Sequence, residues 1–256
     1  MKRYFLFALI LLISIGAFAE RKALIIGNFN YPGQALTAPA NDVSDMENAL
    51  GQWGFTVLKE QNLDLNGMTA TIDFFVSSLT SEDEAFFYYS GHGVHENGIN
   101  YLVPAGVNMN DRQVYAGTAY SVRRLAELMA RAKSTVIFLE ASRSVGGSPK
   151  YFQFTRDCQP NQAIVMSARP YSVVADSNPQ RSAFTQAFIQ KFNQSEDPFN
   201  ETMPVLLREF RATGNTRQIP WYSGPINREL YFNLNSARWR FRMNLHDIEG
   251  GGSLSW

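Results

Sequence analysis

Residues 84–93 read EAFFYYSGHG, an aromatic run that ends in a histidine between two glycines. Aromatic residues favour strands, so residues 84–89 predict a buried β-strand. Glycines on both sides leave the imidazole of His92 sterically open and let a ligand approach the backbone closely. Such a histidine suits proton transfer, although a single histidine in a turn is more often structural. The stretch therefore predicts a core strand that ends in a turn carrying His92.

Strands and helices alternate along the rest of the chain. Apolar runs that predict further strands lie at residues 22–27, 55–58, 99–103, 135–139 and 163–166. Apolar residues at helical spacing lie at residues 43–50, 65–79, 122–132, 183–192 and 203–210. Asn41 and Asp42 are candidate N-caps of the first of these helices. The pattern predicts a three-layer α/β/α sandwich with a mostly parallel central sheet of about six strands.

A second polar loop follows the predicted strand at residues 135–139. It begins Glu140-Ala141-Ser142-Arg143 and contains glycines further on. The carboxyl ends of parallel strands meet at one edge of a sheet, where functional groups gather on loops. We therefore expect this loop to lie close to His92.

The N-terminus has the features of a leader. Lys2 and Arg3 precede an apolar run, which is followed by Gly16-Ala17-Phe18-Ala19. This order predicts a signal peptide at residues 1–19. An uncleaved anchor is the alternative, but the apolar run is shorter than the roughly 20 residues that span a bilayer. The mature protein is therefore expected to be exported, periplasmic or extracellular, with no transmembrane span.

A domain at residues 20–235 and a C-terminal extension at residues 236–256 complete the predicted organisation. Between residues 237 and 246 apolar and aromatic residues alternate with arginines, which indicates a half-buried strand with a basic outer face, followed by a glycine-rich end. One interpretation is an edge strand protected by charge, and the other is an interaction strip for a partner.

The charge balance limits the classes of partner. Basic and acidic residues both number 23, and the formal net charge falls from zero to −2 when Lys2 and Arg3 are removed. This argues against nucleic acid as a partner. The single cysteine, Cys158, cannot form an internal disulfide, so the fold must depend on its core.

The motifs, taken in order, resemble the caspase-like cysteine peptidases, especially their bacterial metacaspase and paracaspase-like branch. They are ALIIGNFNY (23–31), PANDVSDM (39–46), YYSGHG (88–93), NYLVP (100–104), FLEASR (138–143), AIVMSARP (163–170), SAFTQAF (182–188) and QIPW (218–221). Each alone has little specificity, but their shared order is specific. The resemblance implies the caspase-like fold and the chemistry of a cysteine-type endopeptidase.

The resemblance also implies catalytic roles by position. His92 matches the general acid and base, and Gly93 matches the glycine whose backbone N–H stabilises the oxyanion. Ser142 stands where the family has its nucleophilic cysteine. His92 and Ser142 are 50 positions apart, which is the spacing typical of the histidine and cysteine of caspases.

Substrate preference is implied in the same way. Bacterial members of the family usually cleave after arginine or lysine, and their acidic pocket corresponds to Asp42 and Glu140 here. As an alternative, Asp42 caps a helix. Glu140 follows a buried strand, where an unpaired carboxylate is costly, so it could instead pair with Arg143 or Arg169.

The serine at position 142 changes the expected activity. A hydroxyl is a far weaker acid than a thiol and needs a firmly positioned base. We therefore expect an inactive peptidase homologue that binds peptide or protein segments, and the pocket of Asp42 and Glu140 favours basic ones. The alternative is an active endopeptidase that uses His92 with Ser142 or a reorganised site. Deliberate replacement of a native cysteine is disfavoured because engineered chains usually omit the leader.

Three further features are assigned smaller roles. Cys158 lies 16 positions beyond Ser142 and is predicted to be a half-buried or exposed thiol rather than the nucleophile. His95 is predicted to be a surface residue of the loop after Gly93. Calcium activates part of the family, but no oxygen-rich cluster here is specific enough to predict a site, so neither a metal nor a cofactor is expected.

Overall fold

A computed structural model describes residues 19–109, 115–141, 144–145, 148–149, 152–153, 157–170, 180–214, 218–224, 226 and 229–234. Ser142, Arg143, most of the predicted signal peptide and the predicted C-terminal extension lie outside these residues.

The described residues form strands and helices in alternation. The strands are β1 (Arg21–Gly27), β2 (Thr56–Gln61), β3 (Glu84–Ser90), β4 (Gly93–Glu96), β5 (Ile99–Leu102), β6 (Tyr120–Ser121), β7 (Ser134–Glu140), β8 (Ser144–Val145), β9 (Ser148–Pro149), β10 (Gln162–Met166) and β11 (Trp221–Ser223). The helices are α1 (Ala38–Gln52), α2 (Leu65–Ser77), α3 (Val122–Met129), α4 (Ala183–Gln194) and α5 (Phe199–Ala212), with a short 3-10 helix at Tyr115–Gly117.

The central sheet has six strands in the order β11-β10-β7-β3-β1-β2. Neighbouring strands are parallel except β10 and β11, which are antiparallel. The predicted mostly parallel sheet of about six strands is therefore confirmed. The register pairs Ser90 with Glu140, so the loops after β3 and β7 leave the same edge of the sheet side by side.

The two faces of the sheet are covered by separate apolar cores. Phe86, Tyr88 and Phe138 face the side that carries α1, α4 and α5. Their neighbours Phe87 and Leu139 point the opposite way and pack with α2 and α3. Because successive side chains of a strand alternate between faces, fully apolar strands serve both cores at once. This arrangement is the three-layer sandwich that the alternation of elements predicts.

The first helix begins earlier than predicted. It starts at Ala38 after the N-cap residue Thr37, and it has a proline in its first turn. Proline is tolerated there because the first N–H groups of a helix have no partner within the helix. The prediction that Asn41 or Asp42 caps this helix is wrong, since both residues lie inside it.

Among the helices of the described residues, none is both long enough and apolar enough to cross a membrane.

Candidate active site

His92 lies in the turn between β3 and β4, and its side chain is fully buried. The ring of Tyr31 meets the imidazole edge-on, with the ring centroids 4.5 Å apart. Nε2 of the imidazole lies 3.3 Å from the carbonyl oxygen of Gln34. When Nε2 carries the proton and donates it to this carbonyl, Nδ1 is the proton acceptor. A main-chain oxygen thus orients the imidazole, in the way that an acidic residue does in a catalytic triad.

Two tyrosine hydroxyls hold the backbone of this turn. The Tyr31 hydroxyl accepts the N–H of His92 at 3.2 Å and donates to the carbonyl oxygen of Val103 at 3.0 Å. The Tyr89 hydroxyl lies 2.9 Å from the carbonyl oxygen of His92 and 2.8 Å from that of Val103. A Cβ at Gly91 would stand 2.5 Å from the Tyr89 hydroxyl oxygen. Gly91 is therefore required by the tyrosines that position His92. The sterically open imidazole that the sequence predicts is not found, because His92 is fully buried.

Gly93 begins β4, opposite Leu102 of β5. The N–H of Val103 donates to the carbonyl oxygen of His92 at 3.0 Å. In antiparallel pairing this bond makes Gly93 and Leu102 a non-hydrogen-bonded pair, so the N–H of Gly93 points away from β5. An N–H that the strand ladder does not use suits the stabilisation of an oxyanion, which is the role that the sequence predicts for Gly93.

Close packing also requires glycine at position 93. An added Cβ would lie 2.3 Å from Cζ of Phe152 and 2.8 Å from Cβ of Ala141. Ala141 immediately precedes Ser142, which itself lies outside the described residues. The backbone of Gly93 therefore packs directly beside the residue that leads to Ser142, the predicted nucleophile position.

After β7 the chain runs beside the turn that carries His92 between β3 and β4, which we call the histidine turn. The N–H of Gly91 donates to the carbonyl oxygen of Glu140 at 3.2 Å. The carbonyl oxygen of Ala141 accepts from the Ser167 hydroxyl at 3.2 Å. Position 142 is thus approached by a buried and hydrogen-bonded backbone up to residue 141.

Asp42, one of the two predicted pocket residues, is fully buried inside α1. Its carboxylate accepts from the Ser182 N–H at 2.8 Å, from the Ser182 hydroxyl at 2.6 Å and from the Ser90 hydroxyl at 3.0 Å. Ser182 is the N-cap residue of α4. Asp42 therefore connects the start of α4 to the end of β3, where the histidine turn begins.

Glu140, the other predicted pocket residue, is also fully buried. Its carboxylate accepts from the Thr185 hydroxyl at 2.9 Å, and that hydroxyl lies 2.8 Å from the Tyr88 hydroxyl. Thr185 belongs to the first turn of α4, so both carboxylates bind the start of the same helix. Of the two arginines considered as partners of Glu140, Arg143 lies outside the described residues and Arg169 is exposed.

The prediction that His95 lies on a surface loop is wrong. His95 is half-buried in β4. Its Nδ1 lies 2.9 Å from the side-chain oxygen of Asn100. Asn100 in turn donates to the carbonyl oxygen of Gln153 and accepts the N–H of Gln153, both at 2.9 Å. This pair of bonds fixes the segment that carries Phe152 against Gly93. The predicted strand at residues 99–103 is present as β5, whereas β4 was not predicted and has only four residues.

Cys158 is half-buried, as predicted. Its thiol donates to the carbonyl oxygen of Ser223 at 3.1 Å. Burial raises the pKa of the Cys158 thiol, which disfavours the thiolate that a cysteine nucleophile needs. In the part of the chain that the structure describes, no group of three or more His, Cys, Asp or Glu side chains is placed to hold a metal ion.

A parallel sheet with a buried histidine turn after β3 and a second loop after β7 defines a caspase-like α/β protein. Residues 20–231 match the family described as Caspase domain. This match covers most of the chain, and the chain belongs to the caspase-domain family of peptidases and their homologues. The resemblance found in the sequence is thereby confirmed.

Two curated relatives match a shorter stretch. The human mucosa-associated lymphoid tissue lymphoma translocation protein 1 is 35% identical over 86 residues. Its mouse homolog is 34% identical over 86 residues. Each match covers 33% of this chain and 10% of the relative. The matched stretch thus spans about a tenth of the length of these relatives.

Proposed function

We propose that this protein is an exported, catalytically inactive peptidase homologue that binds peptide or protein segments. The observation that carries the proposal is a serine at position 142, which the motif resemblance assigns to the nucleophile, in a caspase-family chain that keeps its histidine turn. A serine hydroxyl is a weak nucleophile without a strongly activating base. Loss of the nucleophile in a comparable peptidase lowers turnover by on the order of 10⁶-fold.

The retained parts of the site favour binding. His92 and Gly93 sit in a turn held by Tyr31, Tyr89 and Gln34, so the shape of the site does not depend on a cysteine. A peptide carbonyl could still be accepted beside the N–H of Gly93. The protein would then hold a segment that it does not cleave.

The acidic residues favour a basic segment. Asp42 and Glu140 are both buried at the start of α4. A guanidinium can replace the hydroxyl donors of these carboxylates with stronger, charge-assisted hydrogen bonds. We therefore propose that the bound segment carries arginine or lysine.

Fluorescence anisotropy with two labelled peptides tests this proposal. The peptides are identical except that one ends in arginine and the other in citrulline, which has the same shape without the charge. We expect the arginine peptide to bind about tenfold more tightly or better, and Glu140→Gln to remove the preference. Glu127→Gln, on the exposed face of α3, is the matched control. Equal affinity for the two peptides would contradict binding of basic segments.

One observation favours a second candidate function, an active serine peptidase. The Gln34 carbonyl lies close to Nε2 of His92, and an oriented imidazole is what a serine nucleophile requires. Turnover of arginine- or lysine-ending peptides by the natural protein, lost in His92→Ala, would establish this candidate in place of the first.

Export rests on the predicted leader at residues 1–19. Mass spectrometry of the protein recovered from the cells of origin tests it. We expect the N-terminus at Glu20, and a mature protein that retains Met1 would contradict cleavage.

A further inference from the structure

A pocket lies away from the histidine turn, on the side of the sheet that carries α2 and α3. Its volume is about 580 Å³, and its walls come from α2, β5, the short 3-10 helix, β6 and the start of α3. Asp42, Glu140 and His92 lie elsewhere, on α1, at the end of β7 and after β3. The pocket is thus separate from the candidate active site.

Arg124 supplies a cation to this pocket. Its guanidinium lies 4.0 Å from the carboxylate of Asp73, and 58% and 51% of the two side chains are exposed. This distance is too long for a hydrogen bond, so the donors of Arg124 are not used by Asp73. The guanidinium of the preceding residue, Arg123, is already engaged, because its Nε donates to the Asp157 carboxylate at 2.8 Å.

Tyr120 adds a buried hydroxyl to the same pocket wall. The residue is only 3% exposed. Among the described residues, no group meets the geometry of a hydrogen bond to the hydroxyl oxygen, although the Arg124 guanidinium lies near enough to interact with it. Burial raises the pKa of Tyr120 to about 12, although the nearby Arg124 acts in the opposite direction. The phenol therefore keeps its proton at neutral pH and offers it to an acceptor.

The start of α3 and the apolar wall of the pocket favour a ligand that has both a negative charge and an apolar part. Arg124 belongs to the first turn of α3, whose N-cap residue is Ser121. The N-terminus of a helix favours negative charge. Leu65 and Ile99 contribute apolar surface to the pocket, which suits the hydrocarbon part of a ligand.

We propose that this pocket binds a carboxylate with an apolar body. The carboxylate oxygens accept from the Arg124 guanidinium and the Tyr120 hydroxyl, and the apolar body packs against Leu65 and Ile99. Asp73 competes with the ligand for Arg124. A free carboxylic acid and the acidic side chain of a peptide share this chemistry. This binding is independent of the proposed function of the His92 site.

Amide chemical shifts of the full-length protein, followed during titration, test the proposal. The probes are N-acetyl-leucine, its neutral analogue N-acetyl-leucinamide, and the peptides acetyl-Leu-Glu-amide and acetyl-Leu-Gln-amide. We expect at least one acidic probe to give saturable shifts in the first turn of α3, with its neutral analogue at least about tenfold weaker. Binding of N-acetyl-leucine alone identifies a free acid as the ligand, whereas binding of the peptide acid identifies an acidic side chain.

Substitutions assign the contacts. Arg124→Gln should lower the affinity for the acidic probe about tenfold to a hundredfold. Arg123→Gln removes the same charge outside the pocket and should leave this affinity unchanged. Tyr120→Phe should lower the affinity for the acidic probe by up to about tenfold, and Asp73→Asn should raise this affinity. Equal binding of acid and amide would overturn the proposal, and so would equal losses in the two arginine variants. The proposal would also be overturned if Asp73→Asn bound the acidic probe more weakly than the natural protein, or if neither acid gave saturable shifts.

Discussion

At the scale of single residues, the sequence predicted which residue types mark the site, but not what holds them. His92 between glycines was identifiable because that pattern is local. The contacts of Tyr31 and Gln34 with His92 cross more than fifty positions, so no local pattern reveals them. Tyr31 does lie within the motif at residues 23–31, which is the signal that could have identified it.

Gly91→Ala is expected to destabilise the fold because a Cβ would stand 2.5 Å from the Tyr89 hydroxyl oxygen and 2.9 Å from that of Tyr31. Both side chains are buried and cannot move aside freely. The free energy of unfolding, measured in urea, should fall by about 1–3 kcal/mol. The control is Gly51→Ala in α1, where an added Cβ meets no atom within 4 Å, and which should keep or raise stability. Equal stability of the two variants would show that the tyrosines do not constrain the turn.

At the scale of elements, buried strands were predicted more accurately than caps and short strands. The run at residues 135–139 lies within β7, because a continuous apolar stretch has one favourable place in a parallel sheet. Asp42 was misassigned as a cap of α1 because it lies inside that helix, and its carboxylate binds Ser182 of α4. This contact joins residues 140 positions apart. Capping by a distant residue of another element cannot be inferred from local spacing.

Asp83 lies at the amino ends of the strands, opposite the end that carries the candidate site, where it holds the starts of β1 and β3. Its carboxylate accepts from the N–H of Glu20 at 2.9 Å, from the N–H of Thr80 at 2.8 Å and from Lys22 at 3.0 Å. Burial alone would raise the pKa of Asp83, but these donors together lower it. A lowered pKa in the folded state contributes stability above the unfolded value of about 4, and this contribution is lost as the pH falls.

Asp83→Asn should therefore lower the free energy of unfolding by about 2 kcal/mol at pH 7. Its stability should also depend less on pH between about pH 5 and pH 2 than that of the natural protein. Urea unfolding across this range measures both effects. The adjacent exposed residue provides the control Glu82→Gln, which should behave like the natural protein. A variant whose loss is the same at every pH would refute this role of the Asp83 charge.

Asn100→Ala should release the segment that packs Phe152 against Gly93, because it removes both hydrogen bonds to Gln153. Hydrogen exchange at the N–H of Gln153 should become about tenfold faster or more. Asn48→Ala, an exposed position on α1, should leave that rate unchanged. Unchanged exchange in Asn100→Ala would mean that other contacts hold this segment.

At the scale of the whole molecule, the alternation of strands and helices was sufficient to predict the sandwich. Parallel strands require crossover connections, so few arrangements are compatible with the order of elements. The antiparallel strand β11 was not predicted, because its three half-buried residues follow no apolar run. The Arg124 pocket was also not predicted, since its walls come from elements that are distant in sequence.

The family assignment and the serine at position 142 together lead to the central proposal, which is that this caspase-family protein keeps the shape of the site and lacks its nucleophile. Turnover of fluorogenic peptides ending in arginine or lysine tests it most directly, with the natural protein compared with Ser142→Cys, His92→Ala and the double variant. We expect no turnover by the natural protein. Ser142→Cys should gain turnover on the order of 10³-fold or more above background, and His92→Ala should abolish that gain. Turnover by the natural protein that disappears in His92→Ala would contradict the proposal.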